Sequence, residues 1–161
     1  MDTAARISIR LAIEDLNANF TYFLDHNQVD ELAGLFTEDA VYMHGERRDE
    51  GCVAIHQLFA KRRTASSRTT RHLYSGLRVF VEGTKRARGE CVCLTFAADE
   101  LPPIAPTTPY LVADFSDVYV RCADNEWRIK QRIISRILLA ESNTGPVGFS
   151  RAPASADQEN S

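Results

Sequence analysis

Residues 70–81 read Thr70-Arg71-His72-Leu73-Tyr74-Ser75-Gly76-Leu77-Arg78-Val79-Phe80-Val81, and their polar and apolar side chains roughly alternate. Alternation with a period of two is typical of a β-strand that is covered on one face. The segment is about twice as long as an average strand, so we expect it to twist or bend strongly. Gly76 is the expected position of a bulge or bend.

Three further strands of similar length are predicted after this one, over residues 87–98, 109–122 and 126–138. A proline-rich segment and a hairpin turn over residues 123–125 separate the last three strands. Glycine, proline and Asx residues of this kind punctuate sheets. The second half of the chain therefore predicts a meandering antiparallel sheet that is strongly curved.

The segment before residue 70 predicts three helices and one short strand. Residues 4–26 carry one apolar stripe at helical spacing and a second stripe that includes Tyr22 and Asp25. Asn27 is expected to cap a short second helix, residues 39–45 to form a strand, and a third helix to begin near Gly51. Helices followed by long sequential strands predict an α+β domain with helices packed on the sheet.

Composition sets the class of protein. The 161 residues are 44% apolar and 25% charged, with a net charge of −3, so we expect one globular domain without a nucleic-acid or membrane surface. No stretch reaches the roughly 18–20 apolar residues of a membrane span, and no signal peptide is recognisable, so we expect a cytoplasmic protein. The basic residues around 61–63, with Arg68 and Arg71, are interpreted as a solvated helix end.

Two further expectations follow from local sequence. The domain should span residues 1–140, because residues 141–161 are rich in Ser, Ala, Pro, Gly and Asn and predict a flexible tail. The four cysteines are expected to be free thiols, because the only close pair, Cys91 and Cys93, shares one face of a predicted strand.

Five motifs in this order resemble the SnoaL-like branch of the NTF2-like superfamily. They are Leu32-x-x-Leu35-Phe36-Thr37-x-Asp39-Ala40, Gly51-x-x-Ala54-Ile55, Thr70-Arg71-His72-Leu73, Phe115-x-Asp117-x-Tyr119-x-Arg121 and Trp127-Arg128-Ile129. Together they cover about residues 5–139. The resemblance implies a cone-shaped α+β barrel, with three N-terminal helices packed on the curved sheet around an apolar cavity.

The closest resemblance in candidate site residues is to the dehydratase and dehydrochlorinase members of this group. It implies that Asp25 and His72 form a catalytic dyad, and that Arg132 lies in the pocket and assists the leaving group. A carboxylate that orients an imidazole is also the minimal apparatus for moving a proton. Tyr22 and Tyr42 fall in segments where a dehydratase member places tyrosines.

Each of these residues also has a plainer interpretation. Asp25 could cap the next helix, and His72 could be a half-buried strand histidine. Arg132 alternates with charged neighbours and could lie on a solvated edge or pair with Asp117. Phe20 and Phe59 are expected to line the cavity together with Tyr42.

The hypothesis from sequence is a cofactor-independent lyase or isomerase of the dehydratase or dehydrohalogenase type. His72 would abstract a proton from a small, apolar cyclic or aromatic substrate, and Tyr22 or Arg132 would stabilise the departing anion. Although His44, His72 and Asp25 resemble a two-histidine-one-carboxylate set, no local ligand motif supports a metal, and we expect neither metal nor cofactor.

The alternative is a non-catalytic ligand-binding or assembly module, such as a protein similar to the small subunit of ring-hydroxylating dioxygenases. In that case Asp25 and His72 would lie too far apart to form a hydrogen bond, or side chains would fill the pocket. In either case we expect a homodimer or homotrimer joined through the convex sheet face, because two alternating sets on the last strands are apolar. These sets are Leu111, Ala113, Phe115 and Tyr119, and Ile129, Ile133 and Ile137.

Overall fold

The computed structural model describes residues 1–65, 68–105 and 108–140. The helices are α1 (Thr3–Asp25), α2 (Val29–Gly34) and α3 (Cys52–Ala65). The strands are β1 (Phe36–His44), β2 (Arg47–Glu50), β3 (Thr69–Val81), β4 (Arg86–Ala98), β5 (Leu111–Arg121) and β6 (Trp127–Leu139). The tail predicted for residues 141–161 lies outside the described residues.

The strands form one sheet in the order β2-β1-β6-β5-β4-β3, with the helices packed on one side. The predicted α+β fold, with three N-terminal helices on a curved sheet, is confirmed. The sheet is open at both edges and so forms a cone without closing into a barrel. One pair departs from the antiparallel arrangement, because β1 runs parallel to β6.

Helix α1 spans the concave side of the sheet because one of its faces is apolar apart from the buried Asn17. The buried apolar residues follow helical spacing: Ile9, Ile13, Leu16, Phe20 and Leu24. Asp2 caps the first turn by accepting a hydrogen bond from the Ala5 amide at 2.7 Å. The second stripe predicted for this helix is exposed at Leu11 and Tyr22, so the helix is covered on one side only.

The connection to α2 differs from the predicted cap. Asn27 adopts a left-handed φ of 55°, and the residue before α2 is Gln28, whose side chain makes no capping bond. Asparagine tolerates this conformation better than most residues, so it ends the turn after α1 and does not begin α2.

Strand β2 pairs with β1, in a segment where the sequence predicts no strand. Its sequence is entirely charged, so it offers no apolar alternation to detect. Its residues pair along the strand instead: Arg47 with Asp49, and Arg48 with Glu50. The reversal occurs at Gly45, which has a φ of 61°.

Bulges in β3 and β6 decide which side chains face the concave side. The pairing of β3 with β4 shifts between Ser75 and Arg78. The bulge is at Gly76, as the sequence predicts, and the φ of this residue is 66°. The pairing of β5 with β6 shifts between Val118 and Tyr119 and again between Val112 and Ala113, and this leaves Lys130 and Ile137 as extra residues in β6. Each extra residue reverses the alternation that follows it.

All four cysteines are free thiols, as the sequence predicts. Among the described residues, no helix is long and apolar enough to cross a membrane.

Candidate active site

A cavity lies between α1, α3 and the concave face of the sheet, with an empty volume of about 670 Å³ including its opening to solvent. Most of its wall is aromatic or aliphatic: Phe20, Tyr42, Phe59, Tyr110 and Phe115, with Leu24, Leu58, Leu111 and Ile134. The polar lining residues are His44, Arg62, Arg68, Thr70, His72 and Thr95. An apolar chamber with a few convergent polar groups is the usual form of a small-molecule site.

Asp25 and His72 meet at the wall of this cavity. Nδ1 of His72 lies 2.6 Å from Oδ1 of Asp25, and the His72 amide donates to Oδ2 of Asp25 at 2.8 Å. The side chain of His72 is only 9% exposed and that of Asp25 only 6%. Asp25 is the last residue of α1 and His72 lies near the start of β3, so the pair joins the helix to the sheet.

The pair is held in complementary protonation states. Burial lowers the pKa of His72, and the hydrogen bond to Asp25 offsets this only in part. Burial would raise the pKa of Asp25, but the hydrogen bonds and charge of His72 and the hydroxyl of Thr70 leave it below its usual value. An ionised carboxylate can only accept, so Nδ1 of His72 carries the proton and Nε2 keeps its lone pair.

Thr70 and Arg62 extend the pair into a chain of hydrogen bonds. The Thr70 hydroxyl donates to Oδ1 of Asp25 at 2.8 Å and accepts from Nη2 of Arg62 at 3.2 Å. Asp25 therefore accepts three hydrogen bonds, from the Thr70 hydroxyl and from two groups of His72. This network fixes the carboxylate, and through it the ring of His72.

Arg68 and His44 complete the polar wall. Arg68 forms an ion pair with Asp99 at 3.0 Å, and its guanidinium carbon lies 5.5 Å from the ring centroid of Tyr110. His44 is buried, and burial together with nearby cationic groups, including Arg136 and Arg62, lowers its pKa to about 3. His44 is therefore neutral at physiological pH.

Arg132 lies outside the cavity lining, contrary to the predicted pocket position. It is fully buried behind Phe20 and Phe115, with its guanidinium carbon 4.1 Å and 4.9 Å from their ring centroids. It forms a two-point ion pair with Asp117, using Nε at 2.9 Å and Nη2 at 2.7 Å. The extra residue at Lys130 turns Arg132 inward. The interpretation of Arg132 as part of a solvated edge is therefore also wrong.

The predicted position of Tyr22 in the pocket is also wrong. Its side chain is 53% exposed and stacks on His26, with a centroid distance of 4.1 Å. It follows Phe20 by two residues, which is about 200° around the helix axis, and Phe20 faces the cavity. Tyr22 therefore cannot contact a ligand in this cavity.

The structure places Phe20, Tyr42 and Phe59 along the cavity wall. Tyr42 is buried, and burial raises its pKa to about 12, so its hydroxyl keeps its proton. Within the described residues this hydroxyl has no hydrogen-bond partner, which leaves it available to a ligand.

Sequence reasoning missed Arg62 and Thr70, although periodicity contains a signal for both. Arg62 follows Leu58 and Phe59 by four and three residues, so it continues the apolar face of α3, whereas Arg63 is exposed. Thr70 precedes His72 by two residues and shares its strand face. A basic cluster at a helix end can thus contain one residue that faces inward.

The chain belongs to the SnoaL-like domain family, whose model matches residues 5–133. Its fold and its polar-lined apolar cavity are those of a small-molecule-binding domain of the NTF2-like type. No curated protein matches the chain. In the described residues there is no group of three or more His, Cys, Asp or Glu side chains that could hold a metal ion.

Solved structures with the same fold include two named for elimination chemistry. A candidate scytalone dehydratase from Novosphingobium aromaticivorans aligns over 93% of this chain and 100% of its own, at 23% identity and a TM-score of 0.77. A type 2 hexachlorocyclohexane dehydrochlorinase aligns over 92% and 100%, at 19% identity and a TM-score of 0.71. A Catenulispora acidiphila protein in complex with S-DNPA aligns over 81% and 94%, at 20% identity and a TM-score of 0.69.

Proposed function

We propose that this protein is a cofactor-independent lyase or isomerase of the dehydratase or dehydrohalogenase type. The observation that carries the proposal is the 2.6 Å hydrogen bond between His72 and Asp25 at the wall of an apolar cavity. The non-catalytic alternative called for a separation too large for this bond. The names of two structural neighbours, a candidate dehydratase and a dehydrochlorinase, also support elimination chemistry.

In this proposal His72 is the general base. Nε2 takes a proton from a substrate carbon, the electrons of that C–H bond form a double bond, and the bond to the leaving group breaks with its electron pair. The group departs as halide, or as hydroxide that then takes the proton from His72 and leaves as water. Asp25 holds the Nδ1–H tautomer and stabilises the imidazolium that forms.

The substrate class follows from the cavity. Its aromatic and aliphatic wall suits a small cyclic or aromatic compound. Tyr42 takes the part that the sequence predicted for Tyr22, because its protonated hydroxyl faces the cavity and can donate to a departing or carbonyl oxygen. Arg132 has no part in this step, since Phe20 and Phe115 separate it from the cavity.

The test compares His72→Ala with His26→Ala. The substrates are small cyclic and aromatic compounds that carry a hydroxyl or halogen next to an acidic C–H bond, and new double bonds are followed by ultraviolet absorbance. We expect His72→Ala to lower the rate by about 10²–10⁴-fold, because the base is lost. His26 is exposed, outside the cavity and one residue beyond Asp25, so its substitution should leave the rate unchanged.

Full activity in His72→Ala would refute the assignment. Turnover of no compound by the wild-type protein, together with tight binding of several of them, would favour the non-catalytic module instead.

We also propose that the protein assembles as a homodimer or homotrimer through the outer face of the sheet. The basis is an apolar row across four strands of that face, formed by Leu73, Leu94, Val112 and Leu138.

A further inference from the structure

We propose that the ligand of this cavity carries an anionic oxygen, a carboxylate in the simplest case, and that Arg62 binds it. The inference rests on the proposed small-molecule site and adds a substrate class to it. It starts from the charges that line the cavity.

Arg62 is a cation in the wall that lacks an acidic partner. Within the described ranges it forms no ion pair, and its one hydrogen bond is the donation from Nη2 to the Thr70 hydroxyl at 3.2 Å. A guanidinium has five N–H donors, so most of its capacity is unused. The other cavity arginine, Arg68, is already paired with Asp99.

Asp25 does not serve as this partner. One hydroxyl group, that of Thr70, lies between it and Arg62, and its oxygens already accept three hydrogen bonds. Both oxygens of Asp25 accept hydrogen bonds from His72. Asp99 is thus the partner of Arg68 and Asp25 that of His72, and within the described residues Arg62 is left without an ion pair.

The charges of the cavity arginines act on the two neighbouring histidines. Burial is the largest cause of the lowered pKa of His44, and the charges of Arg136 and Arg62 lower it further. Burial likewise lowers the pKa of His72, the hydrogen bond and charge of Asp25 raise it, and the charges of Arg62 and Arg68 oppose Asp25. A positive field in an apolar chamber attracts an anion, and it does so more strongly than in water because few solvent dipoles screen it.

A carboxylate fits this wall better than a neutral polar group. Arginine binds carboxylates through two parallel N–H···O bonds, which fix the orientation of the ligand as well as its position. Because Arg62 and His72 line the same cavity and are joined through Thr70 and Asp25, an anchored acid would have its ring held beside the proposed base.

The experiment measures the binding of matched acid and amide pairs by isothermal titration calorimetry. The probes are benzoate with benzamide and 1-naphthoate with 1-naphthamide, which differ in charge and little in shape. We expect at least one acid to bind about tenfold or more tightly than its amide, as a charge-assisted two-point contact predicts. Arg62→Gln should remove this preference and leave amide binding unchanged, which also shows that the variant is folded.

Two further variants make the test specific. Arg62→Lys keeps the charge and should retain part of the preference. Arg63→Gln removes an exposed cation from the next position of α3 and should retain all of it.

Equal affinity for acid and amide, binding of neither, or a preference that survives Arg62→Gln would overturn the inference. None of these outcomes would contradict the proposed elimination, because that proposal is tested by the loss of turnover in His72→Ala. Conversely, His72→Ala should keep the acid preference, so the two proposals fail separately.

Discussion

At the scale of single residues, Asp25 and His72 depend on each other. A buried imidazole resists protonation, and a buried carboxylate resists ionisation, yet the pair exists here as neutral histidine and aspartate anion. The hydrogen bonds from Thr70 and from two groups of His72 make this possible, because they replace the water that Asp25 loses on burial. His72 is consequently a base before any ligand arrives.

This state predicts the pH dependence of activity. The pKa of His72 lies below its usual value of 6.5, and the protonated ring cannot accept a proton, so activity falls as the pH falls through that lowered pKa. We expect kcat/KM to fall on the acid side only, with the midpoint of the fall below pH 6.5. An acid limb centred above pH 6.5 would contradict this account.

Asp25→Asn extends the prediction to the partner. Asp25 raises the pKa of His72, so its removal should move the acid limb to lower pH. Loss of the tautomer-fixing carboxylate should also lower kcat/KM, by about 10²-fold or more. Asp30→Asn is the matched control, because Asp30 contacts His56 at 2.8 Å on the surface, outside the cavity.

Single residues also show which parts of the site could be predicted from the sequence. Asp25 and His72 were matched through the family resemblance, and the structure brings them within hydrogen-bond distance. Arg62 was missed because a cation at a helix end is usually solvated, and this expectation outweighed its place on the apolar face of α3. Tyr22 was misassigned because a match of segments does not fix the rotation of a helix.

At the scale of elements, bulges control the site. Thr70 and His72 precede the bulge at Gly76, and Leu77 and Val79 follow it and pack against the core. Glycine marks this bulge in the sequence, so it was predicted. The extra residue that precedes Arg132 in β6 is Lys130, an ordinary strand residue, and nothing local marks the change of phase that turns Arg132 inward.

The same shift changes the predicted apolar faces. Leu111, Ala113, Phe115 and Tyr119 are buried on the concave side, as one set. Ile129 is buried with them, whereas Ile137 is exposed, so the second predicted set is divided between two faces. Strict alternation therefore fails in β6 even though the strand itself was located to within one residue at each end.

A buried polar cluster joins α1 to β5 and β6 beneath the cavity. Asn17 donates to the Tyr119 hydroxyl at 2.9 Å, Tyr119 donates to Asp117 at 2.6 Å, and Asp117 binds Arg132. Every step of this chain is a direct hydrogen bond, which makes it sensitive to small displacements. Tyr119 is its central member.

Gly89→Ala should disturb this cluster. A Cβ at Gly89 would lie 2.7 Å from Cε2 of Tyr119, which is closer than carbon atoms approach, so the Tyr119 ring must move. We expect a loss of about 1–3 kcal/mol in the free energy of unfolding, typical of overpacking, measured by urea denaturation.

Gly34→Ala is the matched control for Gly89→Ala. No atom lies within 4 Å of a Cβ at Gly34, the last residue of α2. The added methyl group should change the free energy of unfolding by less than about 1 kcal/mol, or increase it slightly. Equal stability of the two variants would show that Tyr119 has room to move.

At the scale of the whole molecule, the cone has two faces of different character. The helices and the cavity occupy the concave side. On the outer side, an apolar row crosses four neighbouring strands. Its members are paired in register: Leu73 of β3 with Leu94 of β4, Leu94 with Val112 of β5, and Val112 with Leu138 of β6. Leu73 and Leu138 are 53% and 64% exposed. A continuous apolar row on a sheet surface is typical of an interface.

We therefore expect light scattering at micromolar concentration to give the mass of a dimer or trimer. Val112→Lys places a charge at the centre of the row, where it has no acidic partner opposite it, and should shift the protein to monomer. Ile7→Lys is the control, because Ile7 is exposed on α1 and lies outside the row. A monomeric wild-type protein would contradict the proposed interface. An oligomer that survives Val112→Lys would place the contact on another surface.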